Sequence, residues 1–173
     1  MNSRIRSIIA SLLILLTGML LAQQKPAPSA KPGLLTAEEV KAALPESVFF
    51  RGQKAPVQLR NTGGVRFGQG KLLLAAMVDN SGYSTGIAEK YQAYLITETK
   101  LKIGNHELIP GAYGCGIAGG KLIVMDLAAN DLFSVPEEND AKLNRPRPLQ
   151  ITANGGAYRL YFGKKFVSFA AVQ

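Results

Sequence analysis

Apolar positions follow three rhythms along this chain, and each predicts a different kind of element. From Ile8 to Ala22 they are nearly continuous; from Thr36 to Leu44 they recur at helical spacing; after Pro45 they come in short runs separated by Gly, Asn and Asp. In the helical stretch, Thr36 followed three residues later by Glu39 has the spacing of a capping box, in which the hydroxyl accepts an orphan backbone N–H and the carboxylate reaches back. Val40, Ala43 and Leu44 then share one face and Pro45 ends the run, which predicts a single short helix near residues 37–44.

The remaining runs are rich in Val, Ile, Leu, Phe and Tyr, the signature of antiparallel strands. Twelve candidates result, some expected to merge: Ser47–Phe50, Val57–Arg60, Val65–Phe67, Lys71–Val78, Tyr91–Glu98, Leu101–Ile103, Ala112–Ala118, Lys121–Asp126, Leu132–Val135, Leu149–Ala153, Tyr158–Phe162 and Lys165–Ala170. Gly68-Gln69-Gly70, Gly104-Asn105, Gly119-Gly120, Asn154-Gly155-Gly156 and Gly163-Lys164 supply residues that accept positive φ, so tight turns are predicted there. Alternation at Leu72, Leu74, Ala76, Val78 and at Phe166, Ser168, Ala170 assigns those residues to common faces. The predicted class is all-β: an antiparallel β-sandwich or flattened barrel with one short N-terminal helix. Tyr91 and Tyr94, like Tyr158 and Tyr161, are three apart, so each pair is expected to divide between the two faces of a strand.

The first apolar stretch is about 15 residues, short of the roughly 20 that span a bilayer as a helix. Preceded by Arg4 and Arg6, it reads as a signal peptide over 1–22, with cleavage expected after Ala22. An uncleaved N-terminal anchor is the alternative. Gln23 to Gly33 is rich in Gln, Pro, Ala and Lys and reads as a flexible linker. Residues 34–173 then form one β domain, which is expected to be periplasmic or extracellular, with no stable membrane span once the leader is removed.

Charge changes this picture little. The formal net charge is +8, but the cations are scattered without a dense run and are expected to be solvated on strand faces, which argues against a nucleic-acid partner. Cys115 stands alone, so no intramolecular disulfide forms, and its small and apolar neighbours predict a buried thiol.

Gly114-Cys115-Gly116-Ile117-Ala118-Gly119 matches the G-x-G-x-x-G string of a dinucleotide-binding turn. The residues that follow, Lys121 to Met125, read as a strand where that motif needs a helix. A glycine-rich hairpin is the better reading, and no cofactor is expected. His106 is the sole histidine and is expected in a turn between two strands, with no Gly-x-Ser-x-Gly elbow elsewhere. Glu137-Glu138-Asn139-Asp140 lacks calcium-loop spacing, so no metal site is assigned. Asp79, Glu89, Glu98, Asp126 and Asp131 are the carboxylates from which a glycosidase would draw its pair.

Two longer loops, Asp79 to Gly86 and Pro136 to Pro148, are where a β scaffold carries binding residues. Tyr83 in the first and Arg145 and Arg147 in the second are the candidate ligand-binding residues. Ile103 to Gly114 contains Gly104 and then Leu108-x-x-Gly111-x-Tyr113, and this stretch resembles a hairpin of uncharacterised exported bacterial β-sandwich proteins. The resemblance implies a sandwich after a signal peptide and no catalytic residues. The expected function is therefore non-catalytic, a binding or envelope-structural role with a cell-envelope component as partner. A carrier holding a small apolar ligand in a barrel is the first alternative and an envelope-acting hydrolase the second.

Overall fold

The computed structural model describes residues 31–172, so the predicted leader and most of the predicted linker lie outside the described residues. Among the described residues, fourteen antiparallel strands form two sheets. The larger sheet runs in the order β1 (Gly33–Leu34), β3 (Gln53–Arg66), β4 (Leu72–Val78), β5 (Ala93–Thr97), β8 (Gly111–Ala118), β9 (Lys121–Met125) and β10 (Asp131–Pro136), with β2 (Ser47–Phe50) paired to the start of β3. The smaller sheet runs β12 (Arg147–Asn154), β13 (Ala157–Gly163), β14 (Lys165–Ala171), β6 (Leu101–Ile103) and β7 (His106–Leu108), with β11 (Glu138–Asn139) also on β14.

The inward faces are apolar at every second position, as burying one face of a pleated strand requires. Leu73 and Ala75, Ala93 and Leu95, Tyr113 and Cys115, and Leu122 and Val124 from the larger sheet meet Leu149 and Ile151, Leu160 and Phe162, and Val167 and Phe169 from the smaller. This is the predicted all-β sandwich. Two-residue loops at Gly104-Asn105, Gly119-Gly120, Gly155-Gly156 and Gly163-Lys164 close four of its hairpins. Between β7 and β8 the Tyr113 hydroxyl donates to the Ile109 carbonyl at 2.9 Å, which ties the corner that carries the Leu-x-x-Gly-x-Tyr motif.

The outer face of the larger sheet is also covered, a third layer that strand alternation did not reveal. Helix α1 (Ala37–Ala43) carries the capping box, with Glu39 N donating to Thr36 Oγ1 and Thr36 N to Glu39 Oε2, and sets Val40 and Leu44 on Leu74 and Ala76. Beside it, Val48 and Phe50 of β2 join Val78, Tyr94 and Met125. Both faces of β4 are consequently buried, its even positions under this layer and its odd positions in the sandwich.

Two predicted strands prove to be one. Val57–Arg60 and Val65–Phe67 were separated by Asn61-Thr62-Gly63-Gly64, which has turn composition, yet β3 continues through it. The glycines serve close approach instead: a Cβ on Gly63 would lie 2.8 Å from Ile151 Cγ1 of β12, and one on Gly64 would lie 2.7 Å from Leu35 Cδ1 and 2.9 Å from Val40 Cγ2. β3 is thus pinched between the smaller sheet on one side and α1 on the other, and its register against β4 shifts between Val57 and Thr62.

The tyrosine expectation holds for one pair and fails for the other. Tyr158 packs inward on Phe67 and Phe169, while Tyr161 faces outward onto Phe166. Tyr91 and Tyr94, however, join the same outer cluster, because Tyr91 precedes β5 and is not part of an extended strand.

Candidate functional site

The Gly114-Cys115-Gly116 string lies on a strand, with its two glycines on the covered outer face. A Cβ at Gly114 would come 2.4 Å from Phe50 Cε2, and one at Gly116 would come 2.4 Å from the Lys90 carbonyl oxygen. The glycines make room for the Phe50–Tyr91 stack, whose centroids are 3.8 Å apart, and for the chain leaving α2 (Thr85–Ala88). Between them Cys115 points into the sandwich, fully buried, and burial pushes its thiol up to about 12.

The two predicted binding loops are anchored structures. In the first, Asn80 Nδ2 donates to the Ala88 and Tyr91 carbonyls, and the Tyr83 hydroxyl lies 3.0 Å and 3.1 Å from the carbonyls of Phe50 and Gln53. Tyr83 therefore fastens its loop to the β2–β3 hairpin, and its ring packs edge-on to Phe50 and Tyr91. The second loop is a strap over the outer face of the smaller sheet. β11 pairs with β14, Lys165 meets Glu137 at 2.7 Å, and the Tyr161 hydroxyl donates to Asp140 at 3.0 Å. Arg145 and Arg147 sit exposed where the strap reaches β12. Tyr83 and the two arginines lie over opposite sheets, so the structure does not bring the predicted residues together.

Four of the five carboxylates from which a glycosidase would draw its pair are engaged by neighbouring groups. Asp126 accepts the N–H groups of Ala128 and Asn130 and the Asn130 side-chain amide, and Asp79 accepts Ser81 N–H; hydrogen bonds to Asn130 and to Ser81, respectively, hold the two carboxyls below their ordinary range. Asp131 pairs with Lys90 at 2.8 Å and Glu98 accepts Leu72 N–H. His106 is exposed, its ring stacked on Phe133 at 4.6 Å, and among the described residues it has no hydrogen bond to a serine or a carboxylate. No three of His, Cys, Asp and Glu converge among the described residues.

The space between the sheets is filled. An interior void of about 10 Å³, walled by residues such as Leu73, Leu95, Leu160 and Phe169, is smaller than an apolar ligand by more than an order of magnitude.

The more promising concavity is an open groove of about 470 Å³ on the outer side of β14. It exists because the edge of β14 is incompletely paired. β11 covers Lys165 and Phe166, β6 covers Phe169 to Ala171, and Val167 and Ser168 between them have a strand partner only on the β13 side. The two neighbouring chains diverge here: β6 turns back at Gly104-Asn105, and the chain before β11 has just left β10 in the other sheet. Small residues, Ala157, Ser168 and Ala170, form the floor; Lys102 and His106 line one side, and Ser134, Pro136 and Glu138 the other. Sequence reading missed this site, because it arises from a gap in pairing and not from any motif.

Compared with known proteins, the chain matches no protein-family model, no curated protein and no solved structure. Its fold defines it as an antiparallel β-sandwich with a helical and hairpin layer outside the larger sheet. Among the described residues no helix is long and apolar enough to cross a membrane.

Proposed function

We propose that this chain is an exported, non-catalytic β-sandwich module that binds a cell-envelope component through the groove beside β14. The observation that carries this reading is a pair of facts: the interior is closed to ligands, and an open groove with mixed charge lies at the gap in the smaller sheet. The filled interior weighs against the apolar-ligand carrier. The stacking of His106 on Phe133 and the partners held by Asp79, Glu98, Asp126 and Asp131 weigh against the hydrolase. Export is supported by the basic and apolar leader pattern in residues 1–22.

The test is fractionation of the native cells combined with intact-mass measurement. The expected result is a mass matching cleavage after Ala22 and retention in the envelope fraction, with Ser168→Trp, which fills the exposed groove floor, releasing the protein to the soluble exported fraction. A full-length mass overturns the cleaved leader. Equal retention of wild type and Ser168→Trp overturns the groove as the binding site.

A further inference from the structure

Resting on the groove reading above, we infer that the groove receives the carboxylate end of a short extended peptide. The first argument is the backbone. Antiparallel strands satisfy their N–H and C=O groups on both sides, residue by residue in alternation. At the gap only Ser168 turns its peptide groups to the open edge, because those of Val167 face Leu160 of β13; the Phe169–Ile103 pairing takes up the Ser168 carbonyl, which leaves the Ser168 N–H open to the groove. One open N–H does not seat a paired strand, but it is the kind of backbone donor that fixes the terminal carboxylate of a peptide.

The second argument is charge. Lys102 is exposed, and no ion pair engages it among the described residues; Glu107, its cross-strand neighbour, bridges Lys100 at 3.2 Å instead. His106 pairs with the inward Ile103 and stacks on Phe133, which leaves Lys102 as the cation on the outer face of that wall. Glu138 faces Lys102 across the groove, and its neighbour Glu137 is the one that pairs with Lys165. A cation at one wall and a carboxylate at the other suit a ligand with a carboxylate end and N–H groups behind it. The small floor residues, in place of a bulky side chain like the neighbouring Phe166, leave room for the ligand's backbone to lie flat.

The experiment is amide-resolved NMR titration of the exported protein with three probes: tri-alanine with free termini, tri-alanine amide, and inorganic phosphate. The expected result is saturable shifts at Gly104 to His106, Ser134 to Glu138 and Val167 to Ser168 with tri-alanine. Affinity should fall about tenfold or more on amidation, as loss of a charge-assisted bond implies, and vanish in Lys102→Met with the circular dichroism spectrum unchanged. Equal shifts with phosphate overturn the peptide and leave the groove as an anion site. Absence of saturable shifts with every probe overturns the peptide as well, and an unchanged envelope retention of Ser168→Trp overturns the groove reading beneath it.

Discussion

Substituting the glycines of the Gly114-to-Gly119 string one at a time separates packing from ligand binding. Gly114→Ala places a methyl 2.4 Å from Phe50 Cε2, 2.8 Å from its Cζ and 2.9 Å from Tyr91 Cδ2. Neither ring can retreat, since both are fully buried and stacked on each other. Overpacking of this kind costs about 1–3 kcal/mol and sometimes more, offset by roughly 0.4–1 kcal/mol from stiffening the unfolded chain. We expect a net loss of about 1–2 kcal/mol. Gly116→Ala meets a backbone carbonyl, that of Lys90, and should cost at least as much. Gly119→Ala has open space around it and pays only for its positive φ of 57°, about 1 kcal/mol. The chain has no tryptophan, so urea unfolding is best followed by far-ultraviolet circular dichroism. A second variant makes the cause explicit: Phe50→Ala costs stability alone, yet combined with Gly114→Ala it should show a favourable coupling of about 1 kcal/mol or more. Additive losses, or a Gly119→Ala loss exceeding the Gly114→Ala loss, would refute the packing account.

Further outcomes follow from single groups. Tyr91→Phe removes a buried hydroxyl that has no hydrogen-bond partner among the described residues and keeps the ring stack, so the urea midpoint should rise by the equivalent of about 1 kcal/mol; a fall would mean the hydroxyl is bonded. Tyr113→Phe loses the bond to the Ile109 carbonyl and should cost about 1 kcal/mol in the same assay. Cys115 should stay unmodified by a maleimide in the native protein and react once urea unfolds it; native labelling at the rate of a free thiol would contradict its burial. The carboxyls of Glu39 and Asp126 titrate below their ordinary values of 4.5 and 3.8 in the fold, so each binds its proton more tightly when unfolded. Their contribution is present above those values and is lost as pH falls through the lowered ones. Asp126→Asn should therefore flatten the acid limb of the stability curve below pH 3.8, measured by urea midpoints at successive pH values.

Local chemistry was legible where a short stretch decides its own structure. Thr36 and Glu39 made the cap, Pro45 ended the helix, and the two-residue glycine turns fixed four hairpins. Illegible features depended on what lies across from a residue. Asn61 to Gly64 looks like a turn until β12 and α1 are seen pressing on either side. Alternation in β4 identified one face as buried without revealing that the opposite face is buried too. Three short strands, β1, β7 and β11, carry too few residues for a periodic signal and exist through their partners. The groove was out of reach for the same reason, since a missing hydrogen-bond partner leaves no trace in composition.

The course of β3 also dictates the order in which this chain can mature. It pairs with β1, β2 and β4 and presses on β12, so residues close to the start of the domain wait for residues near its end. A chain made or threaded from its N-terminus presents the inward faces of β4 and β5 uncovered until Leu149, Leu160 and Val167 arrive. Pairings this distant in sequence close slowly, and through that interval the nascent domain is a sticky half-sandwich. Until the final strands emerge, its solubility rests on whatever escorts it, and truncation before β12 should yield an aggregating species in place of a smaller folded domain.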